Sequence, residues 1–233
     1  LRRIFAIALH SDENSVTVVL SDTAPRCCSA ITGAVFFLSS EKTCASVATS
    51  WDDQTMHCEH WESGVCRSCT LIEVPYQEQL AEKARSVRAT LDTVPNASNI
   101  HWLPPASSEP RAFRTSAKLV VGGTRRRPTL GALGADRRGV DLPACQIQHP
   151  AINKAIPGLK RFIRALDLTP YDVPRRSGEL KYILLTVGTD EQLMCRFVLR
   201  TRERVTDLRR SLPLLRELVH GVSVVTANIH PTH

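Results

Sequence analysis

Two features that would place the chain in or across a membrane are missing from the sequence. No run of roughly 18 or more apolar residues occurs, so no segment could span a bilayer as a helix. No signal peptide is evident, because the apolar stretch after Arg3 is too short and runs into the polar residues 10–14. The sequence therefore predicts a cytoplasmic protein without a membrane partner, and we expect a monomer.

Basic residues outnumber acidic residues, and the excess is unevenly distributed along the chain. The chain of 233 residues holds 30 Lys and Arg against 23 Asp and Glu, which gives a net charge of +7. Residues 1–55 hold 4 basic against 6 acidic residues, whereas residues 56–233 hold 26 against 17. A sequence pI near 9.2 is compatible with a phosphate-bearing partner, although the balance alone is weak support.

Cysteine is plentiful, and four of the eight cysteines form a pattern. Cys58, Cys66 and Cys69 are separated by seven and two residues, and Cys145 follows 75 residues later. Thiolates are soft ligands that suit zinc or iron–sulfur clusters. Zinc prefers two short Cys-x(2–4)-Cys pairs, and the second pair is missing here. The spacing therefore favours an iron–sulfur cluster, with zinc and unrelated core thiols as alternatives.

Hydrophobic periodicity predicts the order β-β-α-β-β-α-β after a first helix at residues 77–91. Pro213 is expected to bend the last helix, and Cys195 is expected to be a packed core thiol. The fold class predicted is α/β: an iron–sulfur cysteine loop plus a central mixed, mostly antiparallel sheet with helices on one side. The predicted strands are 113–121, 129–133, 180–187, 193–201 and 222–229, and the predicted later helices are 152–166 and 205–219.

Six stretches in a fixed order carry a family resemblance. They read CRSC (66–69), PYQEQLAEKARSVRATL (75–91), AFRTSAKLVVGG (112–123), LTPYDVPRRSGELKYILLT (168–186), RFVLRT (196–201) and TANIHPTH (226–233). Together they resemble the amino-terminal half of bacterial 23S rRNA (uracil-5-)-methyltransferases of the iron–sulfur type, in the branch that modifies uracil 747. The chain departs from the family at Arg114-Thr115-Ser116-Ala117, where Arg-Asn-Lys-Ala is common.

The resemblance implies an enzyme that transfers a methyl group from S-adenosylmethionine to C5 of a uracil in 23S rRNA. It also implies a 4Fe-4S cluster held by Cys58, Cys66, Cys69 and Cys145. No glycine-rich turn leads into a helix, since Gly122-Gly123 runs into Thr124 and three arginines. We therefore expect an amino-terminal fragment that lacks the Rossmann-like methyltransferase domain, the adenosyl site and all catalytic residues.

The resemblance also suggests a division of the chain. Residues 1–55 are expected to be a non-native or disordered upstream extension, since the first methionine is Met56, with a genuine variable extension as the alternative. Residues 56–92 would form the cluster loop and its helix. Residues 93–233 would form a central α/β domain that contacts RNA, with Cys145 completing the cluster.

Eight basic residues are candidate RNA contacts, because Lys and Arg neutralise backbone phosphates. They are Arg114, Lys118, Arg125, Arg126, Arg127, Arg175, Arg176 and Lys181. Two other functions stay open: a stand-alone metal-cysteine RNA-binding module, and a redox-sensing iron–sulfur protein with no RNA partner.

Overall fold

One mixed β-sheet organises the protein, which is described by a computed structural model over residues 5–8, 15–21 and 55–232. The sheet has eight strands in the order β1-β2-β8-β7-β6-β3-β4-β5. All neighbouring strands are antiparallel except β7 and β8, which are parallel. The strands are β1 (Phe5–Ala8), β2 (Ser15–Ser21), β3 (Ser116–Gly123), β4 (Pro128–Leu133), β5 (Gly139–Asp141), β6 (Leu180–Val187), β7 (Leu193–Leu199) and β8 (Val222–Ile229).

Five α-helices accompany the sheet in the described residues, and none of them is long and apolar enough to cross a membrane. A 3-10 turn, Ala97–Asn99, lies in the long connection before β3. The helices are α1 (Glu59–Glu62), α2 (Tyr76–Leu91), α3 (Pro150–Ala165), α4 (Val205–Arg210) and α5 (Leu212–Leu218).

Helix α3 is the main helical support of the sheet. It begins after His149, whose Nδ1 accepts a hydrogen bond from the Ala151 N–H at 3.3 Å. Pro150 occupies its first position, where a missing N–H costs nothing. Its apolar residues recur at steps of three and four and are fully buried against the sheet. Phe162 meets Phe197 of β7 with ring centroids 5.7 Å apart.

Helices α4 and α5 connect the parallel strands β7 and β8. The predicted single helix 205–219 is broken at Ser211 rather than bent at Pro213. Pro213 lies in the first turn of α5, a position that tolerates proline because its N–H would have no partner within the helix. Breaking the helix lets α5 lie against α3, where Gly158 abuts the Leu218 carbonyl.

Strand β6 contains an irregularity that changes the direction of one side chain. Leu180 pairs with Leu199, but the next pairing is Tyr182 with Val198, so Lys181 is an extra residue in the strand. Such a bulge re-aims the side chain that it carries. Leu180 and Ile183 can therefore both enter the core, and both are fully buried.

The predicted fold class is wrong as a description of this molecule. It gave the chain an iron–sulfur cysteine loop and excluded a Rossmann-like methyltransferase domain. The described residues show no iron–sulfur site, and no group of three or more His, Cys, Asp or Glu among them is arranged to hold a metal ion. The mixed sheet itself is observed, with β7 and β8 as its parallel pair. Cysteine spacing predicts ligand chemistry but not side-chain positions, so the sequence could not establish this part of the fold.

The predicted division of the chain stays a prediction. Most of residues 1–55 lies outside the described residues, including Cys27, Cys28 and Cys44. The described parts of that segment are β1 and β2, and β2 pairs with β8 from Ser15 opposite Asn228 to Val19 opposite Val224.

Candidate functional site

The first three cysteines of the pattern lie around the short helix α1. The Cys58 carbonyl accepts hydrogen bonds from the N–H groups of Trp61 and Glu62 at 2.9 and 3.0 Å. The Cys58 N–H in turn donates to Glu62 Oε1 at 3.0 Å. Cys66 returns to the helix through its N–H, which donates to the His60 carbonyl at 2.8 Å. The chain between Cys58 and Cys66 is therefore a closed local loop.

Cys145 reaches this loop from the far side of the sequence. The side-chain Nε2 of Gln146 donates to the His57 carbonyl at 2.8 Å, joining segments that are 89 residues apart. Asn153, in the first turn of α3, donates from Nδ2 to the Cys145 carbonyl at 2.9 Å. These two bonds fix the Cys145 segment between α3 and the Cys58 segment.

All four cysteines are free and half-buried. Burial raises the pKa of the Cys69 thiol, and Cys145 and Cys66 raise it further. Arg114 acts in the opposite direction, and Cys58 adds a smaller upward contribution. The four thiols and the Arg114 guanidinium thus share one neighbourhood, although the described thiols do not form a ready metal-binding group.

Arg114 and Lys118 flank the start of β3, and both side chains are exposed. The backbone of Arg114 is held on both sides, since its N–H donates to the Ile147 carbonyl and its carbonyl accepts from the His149 N–H. The Lys118 ammonium lies 4.0 Å from the ring centroid of Tyr182 on β6. Both cations are therefore positioned by the sheet and face solvent.

Arg125, Arg126 and Arg127 form the exposed turn between β3 and β4. The turn is closed by hydrogen bonds between the backbones of Thr124 and Arg127, at 3.1 Å in both directions. Arg125 forms an ion pair with Asp167, just after α3, at 2.5 Å. Thr124, Arg125, Arg126 and Asp167 line an open recess of about 440 Å³.

Arg175 and Arg176 lie in the tight turn before β6, and both are exposed. The Arg175 N–H donates to Asp172 Oδ1 at 3.0 Å, and Arg176 has a φ of 51°. This turn thus presents two cations to solvent and fixes their backbones. It is well separated in sequence from the turn at Arg125 to Arg127.

Lys181 is placed differently from the other seven predicted contacts. It is only 4% exposed, and its Nζ donates to the carbonyls of His230 and Thr232 at 2.6 and 2.5 Å. The ammonium also lies 4.6 Å from the Tyr171 ring centroid. Burial lowers the pKa of Lys181, the nearby Arg200 lowers it further, and Glu179 opposes both. The bulge in β6 aims this side chain at the segment after β8, away from solvent.

A second set of exposed cations lies on the helices and was not among the predicted contacts. The side chains of its members have no hydrogen bond or ion pair within the described part of the chain: Lys154, Arg164, Arg202, Arg209 and Arg210. One signal in the sequence could have found Lys154 and Arg164, since α3 carries four Lys and Arg and no Asp or Glu.

Comparison with known proteins identifies relatives for most of the chain, although no family model matches it. Proteins of Photorhabdus laumondii, Serratia proteamaculans and Cronobacter sakazakii are 41%, 42% and 44% identical to it over 179 residues. Each is named 23S rRNA (uracil(747)-C(5))-methyltransferase RlmC. The match covers 76% of this chain and 47% of each relative.

A solved structure is also similar in part. It is the tRNA (uracil-54, C5)-methyltransferase of Pyrococcus abyssi in complex with S-adenosyl-L-homocysteine, with 24% identity and a TM-score of 0.46. The similarity covers 58% of this chain and 32% of that one. The chain spans about half the length of its curated relatives. Over the matched residues, it is homologous to proteins named as 23S rRNA uracil-C5-methyltransferases.

Proposed function

We propose that this protein acts in the methylation of C5 of a uracil in 23S rRNA, at position 747. The observation that carries the proposal is the identity of 41–44% over 179 residues to proteins named for that reaction. S-adenosylmethionine supplies the methyl group. The proposal includes a cytoplasmic location, where ribosomal RNA is found, and a monomeric protein.

The charges of the described residues support an RNA partner. Residues 114–233 contain 21 Lys and Arg against 10 Asp and Glu. A uracil in folded RNA must leave its stack before an enzyme can reach its C5. Cations that hold the flanking backbone keep such a base in place, and exposed arginines suit this task because they bind phosphate through two parallel N–H groups.

The reaction can be tested in cells that carry the gene. Disrupting it should remove one 5-methyluridine from 23S rRNA, and restoring the intact gene should bring it back. Mass spectrometry of nuclease fragments locates the residue. Unchanged 5-methyluridine in the disrupted strain would contradict the proposed function, and loss at another position would contradict only position 747.

We also propose that Cys58, Cys66, Cys69 and Cys145 hold a metal centre. The donor set fits in type and number, since four thiols from two chain segments share one neighbourhood. The hydrogen bond from Gln146 to the His57 carbonyl ties the two segments together beside the first and last ligands. The family resemblance implies four irons with sulfide; zinc would use the same donors.

Metal analysis of protein purified without oxygen tests this site. We expect iron with acid-labile sulfide, or zinc, in a fixed ratio to protein, and its loss in Cys145→Ser. Cys195→Ser is the matched control, because Cys195 is fully buried on β7 and distant in sequence from the four. Protein without bound metal, or equal metal content in both variants, would contradict the proposed site.

The exposed predicted cations are proposed as phosphate contacts. Replacing Arg125, Arg126 and Arg127 with Ala should weaken RNA binding about equally for unrelated sequences, because phosphate contacts carry no sequence information. Lys181→Met is the control, since the Lys181 ammonium is buried and already bonded within the chain. It should leave the salt dependence of RNA binding unchanged, and equal effects of the two variants would contradict this assignment.

A further inference from the structure

Helix α3 has one apolar face and one basic face. Ile152, Ile156, Leu159 and Phe162 are fully buried against the sheet. All four charged residues of the helix are basic, so no carboxylate offsets them within it. Lys154, Arg161 and Arg164 follow each other at steps of seven and three residues. They therefore project from the same solvent-facing side of the helix.

Helices α4 and α5 extend this basic side. Near the end of α3, Arg204 donates to the Leu166 carbonyl just before α4. Farther back along α3, Arg161 donates to the Leu218 carbonyl at the end of α5, at 3.5 Å. The three helices therefore form one layer. The exposed Arg202 lies just before α4, and the exposed Arg209 and Arg210 lie in its last turn.

Partners inside the protein account for some cations of this layer but not for others. Lys160 pairs with Asp141 at 2.5 Å, and Arg204 pairs with Asp207 at 3.3 Å. The side chains of a second group are exposed and have no hydrogen bond or ion pair among the residues that the structure describes. We call them the helix-layer cations: Lys154, Arg164, Arg202, Arg209 and Arg210.

The helix-layer cations continue the basic turn at Arg125 to Arg127. Arg125 reaches Asp167, which follows α3 by two residues, and the two side chains are 2.5 Å apart. Arg164 is in the last turn of α3, so the turn and the helix layer meet at this end of the helix. Like charges gathered on one surface raise the local positive potential, and a polyanion relieves their repulsion.

We propose that the helix-layer cations form an RNA-binding surface that, with the basic turn, grips the phosphate backbone on the side of the sheet covered by helices. This inference rests on the proposed function and adds a docking surface to it. Guanidinium groups match phosphate geometry through paired N–H donors. The three helices that form the layer expose no aromatic side chain for base stacking, so the surface binds RNA without reading its sequence.

Charge variants of the whole chain test the surface. One variant replaces Arg164, Arg209 and Arg210 with Gln. A matched control replaces Lys83, Arg137 and Arg138 with Gln, which removes the same charge from α2 and from the turn between β4 and β5. Binding to a ribosomal RNA hairpin and to an unrelated hairpin is measured over a salt series, and circular dichroism checks that both variants fold.

For the helix-layer variant, the slope of log affinity against log salt should fall by about two to three units, equally for both hairpins. The control should keep the wild-type slope. Equal slopes for the two variants would overturn the helix-layer proposal while leaving the proposed function intact. Wild-type protein without salt-dependent RNA binding would instead contradict the RNA partner itself. Helix-layer-dependent binding to anionic vesicles but not to RNA would also overturn the proposal.

Discussion

Asp167 occupies a backbone position that usually belongs to glycine. It follows α3 with a φ of 50°, and the Leu168 N–H closes the helix end by donating to the Ile163 carbonyl at 3.1 Å. Residues with a side chain are strained there, whereas glycine is not. The Asp167 carboxylate offsets part of this strain by forming an ion pair with Arg125. Both side chains are more than half exposed, so the pair contributes little to the free energy of unfolding.

Asp167→Gly should therefore raise the free energy of unfolding by about 0.5–1 kcal/mol despite losing the ion pair. Asp167→Asn separates the two effects, since it tolerates the same backbone conformation but cannot form the pair. Urea denaturation measures both variants. A glycine variant less stable than the asparagine variant would show that the position is not strained.

Cys195 illustrates how burial alone controls thiol chemistry. It is 0% exposed on β7, and desolvation raises the pKa of its thiol far above the ordinary value of 9.0. The folded state therefore keeps the proton at pH values where the unfolded state loses it. The contribution of this thiol to stability is complete below about pH 9 and declines as the pH rises beyond it.

We expect wild-type protein to lose stability above pH 9 more steeply than Cys195→Val, by up to about 1.4 kcal/mol per pH unit. Alkylation tests the same burial. The peptide that contains Cys195 should be modified only as fast as the protein unfolds. Rapid modification of that peptide under native conditions would contradict the burial argument.

At the scale of elements, the contact between α3 and α5 depends on a glycine. A Cβ built on Gly158 would lie 2.1 Å from the Leu218 carbonyl oxygen and 2.8 Å from Val219 Cγ2. Alanine favours helices by about 1 kcal/mol over glycine, but it would force the two helices apart. The packing cost is the larger effect, because a backbone carbonyl cannot move as a flexible side chain can.

Gly158→Ala should lower the free energy of unfolding by about 1–3 kcal/mol. Gly188→Ala is a suitable control, since a Cβ there meets only the Gln192 carbonyl at an ordinary 3.6 Å. Chemical denaturation compares the two. A Gly158→Ala protein as stable as the control would show that α5 can shift away from α3.

Elements with a strong local pattern were predictable from the sequence, and those defined by distant contacts were not. The alternation of Leu193, Cys195, Phe197 and Leu199 predicts β7, and all four are buried. Strand β5 was missed because it has only three residues. It pairs with β4. Its Gly139 also approaches Gly122 of β3 so closely that neither glycine could carry a Cβ.

The candidate sites divide in the same way. Residue type was enough to suggest the four cysteines as ligands, and spacing brought three of them together, but only the fold shows Gln146 and Asn153 fixing Cys145. Lys181 resembled a surface cation because a β-bulge leaves no mark in the sequence. The helix-layer cations were missed because they are spread over three segments that only α3 and its neighbours bring into one layer.

At the scale of the whole molecule, β8 lies between the earliest and the later strands of the sheet. Its one edge pairs with β2 and its other edge with β7. Deleting residues 1–21 should therefore expose the first edge, and the amide protons of β8 that face β2 should exchange faster with solvent. Amides of β4, at the opposite side of the sheet, serve as the control and should keep their exchange rates.

Unchanged exchange in β8 after the deletion would show that β2 adds no protection in solution. That outcome would agree with the expectation that residues 1–55 are an extension outside the folded unit. Faster exchange would instead assign β1 and β2 to the same cooperative structure as the sheet.

The position of β8 also determines when the protein can fold on a ribosome. Strands β3, β4 and β6 can pair as soon as they leave the exit tunnel, and β7 then adds to β6. The edges of β2 and β7 stay open until residues 222–229 emerge, because both have β8 as a neighbour. Contacts between residues about 200 positions apart form late and slowly. The β2 edge therefore stays exposed while about 200 further residues are synthesised, and this interval is when the nascent chain most depends on chaperones.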